Sequence, residues 1–195
     1  MRAISYVLLG LVTAAVFLSA AGFAYLKSTG LSTRVEPGRI EALVARSARS
    51  MAIPSSARVL PNPIPLSADV ITEGMAHYAD HCATCHANDG SGKTEMGQGL
   101  YPRAPDMRLP ATQDLSDGEL FYVIEHGIRF TGMPGWGTGT ATGEQASWQL
   151  VHVMRHLPTL TPAELDAMKD RNPRSPQEIR LELEEERFLN EGAPQ

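Results

Sequence analysis

Two cysteines stand in a chain of 195 residues, Cys82 and Cys85, and His86 follows the second directly. Any fold that uses this stretch must gather two sulfurs and an imidazole on one side of a single turn. The residues around it, from 88 to 143, are rich in Pro and Gly and read as loops wrapped around an internal scaffold. Three uses of the pair fit poorly. A disulfide across two intervening residues closes too small a loop to stabilise much, and it leaves His86 without a role. Zinc wants two more ligands at comparable spacing, and there is no second cysteine pair. Thioredoxin-like redox chemistry expects strands and helices alternating around the thiols, and no alternating strand pattern of useful length occurs.

Covalent haem accounts for every part of the motif. Two thiols add across the porphyrin vinyl groups, both sulfurs lie along one edge of the ring, and His86 falls under the iron as the proximal ligand. A second axial ligand is expected from the methionines. Met96 and Met107 lie close behind the attachment stretch, whereas Met133 sits in Arg129-Phe130-Thr131-Gly132-Met133-Pro134-Gly135-Trp136. Gly132 and Gly135 are expected to let the backbone approach a flat cofactor, and Pro134 stiffens the loop. Trp136 supplies apolar cover with one N–H able to reach a propionate. Met133 is therefore the expected ligand, with His126 as its substitute. The pairs His77/His81 and His152/His156 are four apart but lack a third ligand, which favours surface or packing roles.

Ala3 to Leu26 contains no charged side chain, a length suited to a bilayer core of about 30 Å. It reads as a transmembrane anchor over residues 1–26. A cleaved signal peptide competes with that reading, with Ser19-Ala20-Ala21 as a processing site. Residues 27–67 read as a basic tether in which Glu36-Pro37 opens a helix carrying Ile40, Leu43, Val44, Ser47 and Met51 at helical spacing. Lys27, Arg34, Arg39, Arg46, Arg49 and Arg58 on that side argue for a cytoplasmic location by the charge rule. Haem attachment in bacteria occurs on the outer face of the cytoplasmic membrane, and that outweighs the charge pattern. The net charge of −5, with no excess of base, argues against nucleic acid as a partner.

Pro61, Pro63 and Pro65 impose an extended approach to a core with three helical signals. The first starts at Ser67 or Asp69 and carries Ile71, Met75, Tyr78 and Cys82 along one side. The second follows Ser116, backed by Glu119, and closes at His126-Gly127. The third holds Trp148, Val151 and Val153 to Leu157, ending before Pro158. Beyond residue 160, Thr161-Pro162-Ala163-Glu164 and Ser175-Pro176-Gln177-Glu178 are two further helix starts, and the last helix is acidic.

On these residues the stretch 68–160 resembles the class I c-type cytochromes. Cys82-x-x-Cys85-His86 is similar to their attachment motif, Gly132-Met133-Pro134 with Trp136 to their distal loop, and Trp148 to Leu157 to their last helix. The resemblance implies that Gly74 and Tyr78 cross the last helix at Trp148 and Val151. It also implies that a carbonyl of Pro102 or Pro105 orients His86, and that Arg103 partners a propionate. The implied fold is all-α: a cytochrome c-like haem-binding domain of three main helices with long loops, an N-terminal transmembrane helix and an acidic helical extension at 161–195. The implied function is a periplasmic single-electron carrier, not an enzyme, holding one covalent haem c at the bacterial cytoplasmic membrane. It would work either as an anchored shuttle between a redox protein donor and acceptor or as the cytochrome subunit of a membrane oxidoreductase complex. A haem-based sensor or peroxidase-like enzyme, with Met133 displaced from the iron, is the alternative.

Overall fold

The computed structural model describes residues 2–191, and every regular element among them is helical. Helix α1 (Arg2–Thr29) is apolar over Ile4–Thr29, with mean hydropathy 2.2, and is long enough to cross a membrane. It runs three residues beyond the expected anchor. Helix α2 (Arg39–Ala52) starts after Gly38, two residues later than Glu36-Pro37 suggested, and Gly38 offers no side-chain cap. A single turn, α3 (Ser55–Arg58), follows.

The haem-domain signals appear where local chemistry marks them. Helix α4 (Ala68–His77) is capped by Ser67, whose hydroxyl accepts from the Val70 N–H. It continues through a π-helical turn, Tyr78–Cys82, into α5 (Ala83–His86). Two short helices, α6 (Glu95–Gly99) and α7 (Pro110–Gln113), punctuate the Gly- and Pro-rich loops. Helix α8 (Asp117–His126) opens with the reciprocal Ser116/Glu119 capping box and closes at Gly127, φ 66°. Helix α9 spans Ala141–His156, so it starts seven residues before Trp148, at a Thr140 cap. A 3-10 turn, Leu157–Thr159, leads to α10 (Pro162–Lys169) and α11 (Pro176–Glu191).

The core forms where α4 and α8 pack on α9. Tyr78, Ala79, Leu120, Val151 and Val153 are at most 1% exposed. Gly74 makes the α4–α9 crossing possible, since a Cβ there would meet Val153 Cγ2 at 2.7 Å and the Gln149 carbonyl at 3.0 Å. Gly74 thus meets α9 most closely at Gln149 and Val153, one turn apart. Trp148 instead stacks on Phe121 of α8, with ring centroids 4.1 Å apart and an angle of 8°.

Both flanks join this core further than the pattern of charges suggested. Ile53 and Ala57 are buried, and Gly118 of α8 lies so close to the Ala57 carbonyl that a Cβ would stand 1.8 Å from it. Asn62 donates to the Trp148 carbonyl at 3.0 Å, and His152 meets the Ile64 carbonyl at 2.7 Å. The last third of the tether is thus bound to the domain. On the other side Met168 of α10 is 2% exposed within the same core, past the expected boundary at 160.

Candidate haem site

The π-helical turn inserts a wider loop of backbone just before the cysteines, and Cys82 packs against the core at its end. Both cysteines are free thiols. Burial, helped by the neighbouring Cys85, pushes the Cys82 thiol up to about 12, and burial also raises Cys85. The pair is therefore protonated at neutral pH, which suits neither a thiolate metal site nor a redox dithiol.

Every carbonyl at the end of the motif is occupied. The Gly92 N–H donates to the His86 carbonyl at 2.8 Å, Thr94 Oγ1 to the Cys85 carbonyl at 3.1 Å, and the Tyr78 hydroxyl to the Ala87 carbonyl at 3.0 Å. Gly97 of α6 is pressed on the Cys85 carbonyl, where a Cβ would be only 2.1 Å away. The His86 ring is different: its Nδ1 is buried with no hydrogen-bond partner in ordinary geometry. Burial holds its basicity below the usual histidine value, and the Pro105 carbonyl partly opposes that. Pro105, rather than Pro102, is accordingly the proline that acts on the ring. A neutral imidazole whose buried Nδ1 lies by the Pro105 carbonyl leaves Nε2 as the nitrogen that could take iron.

Residues 128–137 form a strap over the end of α8. The Ile128 N–H donates to the Met133 carbonyl at 3.1 Å, and the Met133 N–H to Thr131 Oγ1 at 3.1 Å. The Trp136 N–H donates to the Ile124 carbonyl at 2.9 Å. Gly127 and Gly135 permit this strap, since a Cβ on Gly127 would meet Gly135 N and Pro134 C at 2.5 Å, and one on Gly135 would meet the Glu125 carbonyl at 2.8 Å. A Cβ on Gly132 would meet the Leu100 side chain at 2.6 Å. The glycines expected to admit a flat cofactor are therefore used here for close contacts within the protein.

Two contacts bring the strap to the attachment motif. The Trp136 ring lies edge-on to His81, 5.2 Å between centroids. Leu100, against Gly132, follows directly from α6, which packs on α5. Met133 is half-buried between these two contacts. The competing ligands are placed elsewhere: Met107 is 5% exposed in the core, Met96 is 56% exposed, and His126 is exposed with its ring on Tyr122.

The remaining histidines have protein partners. His156 pairs with Glu164 at 2.8 Å, and His77 and His81 stand edge to face at 4.8 Å. No group of three or more His, Cys, Asp or Glu suited to a metal ion exists among the described residues. Arg103 is paired with Glu36 of the tether, with 39% of its side chain exposed. Arg108 is likewise held by Asp106 and Asp89, at 2.7 and 3.2 Å. One group escaped the sequence reading. Glu125 Oε1 is buried without a partner, beside Gly137, and no pattern in the chain marks it.

Free thiols two residues apart, a buried neutral imidazole and a thioether on a neighbouring strap fit a covalent haem. The helices and loops around these residues are consistent with a class I c-type cytochrome domain, a haem-based electron-transfer unit. Within it, residues 69–154 match the family described as cytochrome C oxidase, cbb3-type, subunit III, whose cytochrome domain implies covalently bound haem c with its iron. No curated protein matches the chain.

Proposed function

We propose that this chain is a membrane-anchored single-electron carrier of the bacterial periplasm, holding its haem through Cys82 and Cys85 and its iron through His86 and Met133. The observation that carries this reading is a half-buried, neutral His86 directly after the two free thiols, with Met133 the one methionine among the described residues that is neither buried core nor exposed surface. When bound, the haem supplies a one-electron ferric/ferrous couple, which a soft thioether poises toward the ferrous state. The protein's part is to exclude water and to hold both ligands in place. The carbonyl contacts from Gly92, Thr94 and Tyr78 lock the attachment turn, and the hydrogen bonds from Ile128 to Trp136 lock the strap. With both axial positions taken by side chains, no position is left for a substrate, which supports a carrier over an enzyme.

Helix α1 would hold the domain near membrane-bound donors and acceptors, raising their effective concentration. The likeness of residues 69–154 to a cbb3-type oxidase subunit supports partners of that kind, and a fixed place in such a complex is the second form of the same role. The test is purification of the full chain in mild detergent from a host that matures c-type haem. Mass spectrometry should find one covalent haem. The ferric spectrum should carry the long-wavelength band of thioether–iron ligation, and Met133→Ala should remove that band, lower the potential and open the ferrous iron to carbon monoxide. Bare polypeptide would overturn the proposal. A stable co-purifying complex selects the subunit role, and a lone chain selects the shuttle.

A further inference from the structure

Helix α2 presents an apolar face that is coherent and wholly uncovered. Ile40, Leu43, Val44 and Met51 recur at helical spacing and are 79%, 65%, 61% and 79% exposed, and no residue of the helix is buried. Arg39 and Arg46 on its other side are exposed, Arg49 is half-buried, and Arg34 stands just before it. Of the acids nearby, Glu36 is paired with Arg103, and Glu41, which accepts from the Tyr101 hydroxyl, offsets only one of the four arginines at 34, 39, 46 and 49. Residues 30–38 alone separate α2 from a helix of membrane-spanning length. A basic helix with an open apolar stripe, this close to an anchor, has the composition of one that lies in the membrane interface.

We infer that α2 rests on the anionic lipid surface beside α1, with Ile40, Leu43, Val44 and Met51 in the headgroup–acyl boundary and its arginines against lipid phosphates. The contacts of Glu36 with Arg103 and Glu41 with Tyr101 then join that helix to the loop around Pro105, the segment whose carbonyl acts on His86. The membrane would set the orientation of the haem domain as well as its distance. This inference depends on α1 being an anchor, and the test reads the two separately.

Full-length, haem-loaded protein is placed in nanodiscs of phosphatidylcholine alone or mixed with phosphatidylglycerol. With Cys82 and Cys85 engaged as thioethers, one added cysteine carries a fluorophore, at Leu43→Cys on the apolar stripe or Ala45→Cys away from it. In anionic discs we expect the label at 43 to be quenched by brominated acyl chains and shielded from iodide, and the label at 45 to show the reverse. Each of Arg39→Gln, Arg46→Gln and Arg49→Gln should weaken the lipid-seated state about fivefold. An unchanged haem spectrum reports that each variant is folded. A label at 43 that stays open to iodide, or is shielded equally without anionic lipid, or is covered by a co-purifying protein, overturns the inference. If alkaline carbonate strips the chain from its native membrane, the anchor falls and α2's place falls with it; if the chain stays but position 43 is open, only α2's place falls.

Discussion

Ala87, the residue after the proximal histidine, has φ 60° and ψ 158°, a region that side chains other than glycine rarely enter. Its carbonyl is held there by the Tyr78 hydroxyl, so the attachment turn stores strain at the point where the iron ligand is set. Ala87→Gly should relieve that strain and, net of the extra freedom of glycine in the unfolded chain, raise stability by about 1 kcal/mol. A rise of a few degrees in the Tm of the holoprotein, with an unchanged spectrum, checks it. The methionines separate just as sharply. Met107→Ala should cost about 2–4 kcal/mol in denaturant unfolding while leaving the potential in place, because the residue is core filler. Met133→Ala should do the opposite, moving the potential far and the stability of the polypeptide core little. The neighbours of Met133 set it apart in the sequence, but only burial shows that Met107 is core filler.

At the scale of elements, what could be read in advance was what is local. Ser67, Ser116, Thr161 and Ser175 each announce a helix through a hydrogen bond to a backbone N–H a few residues on, and all four helices begin where those residues stand. The early start of α9 was hidden because Gly143 and the threonines around it favour a loop, yet Thr140 caps the helix by accepting from the Gly143 N–H. Contacts between distant parts carried no signal: Gly118 under the Ala57 carbonyl, Gly97 on Cys85, Met168 in the core, and Pro105 instead of Pro102 at His86. Gly118→Ala should therefore lift α3 off α8 and weaken the Arg58–Glu119 contact, 3.6 Å, exposing residues 53–60 to limited proteolysis while haem ligation is kept. Helix α10 adds a pH dependence. The Thr161 N–H and hydroxyl, then His156, hold the Glu164 carboxyl down to about 2 from an ordinary 4.5. Its folded value lies below its unfolded one, so its contribution is complete above about pH 4.5 and is lost as the pH falls toward 2. Glu164→Gln should flatten that part of the acid-unfolding curve.

Over the whole molecule, charge and burial divide differently. The acidic α11 is exposed at Gln177–Asn190, while α10 delivers Met168 to the core. Truncation after residue 174 should leave the Tm of the haem domain within about 2 °C, whereas Met168→Ala should lower stability by about 2–4 kcal/mol. Thermal scans of the two holoproteins separate the flank that is structural from the flank that is free. Docking of residues 53–66 on α8 and α9 has a similar bearing on reach. Chain that would otherwise pay out as slack is clamped, and because Glu36 pairs with Arg103 and Glu41 with Tyr101, residues 30–35 are the stretch left between α1 and the domain, about 20 Å when fully drawn. With α1 as the anchor, a haem in this domain would work on a short leash, within a shell a few nanometres deep, and only partners whose own redox centres surface within that shell would exchange electrons with it.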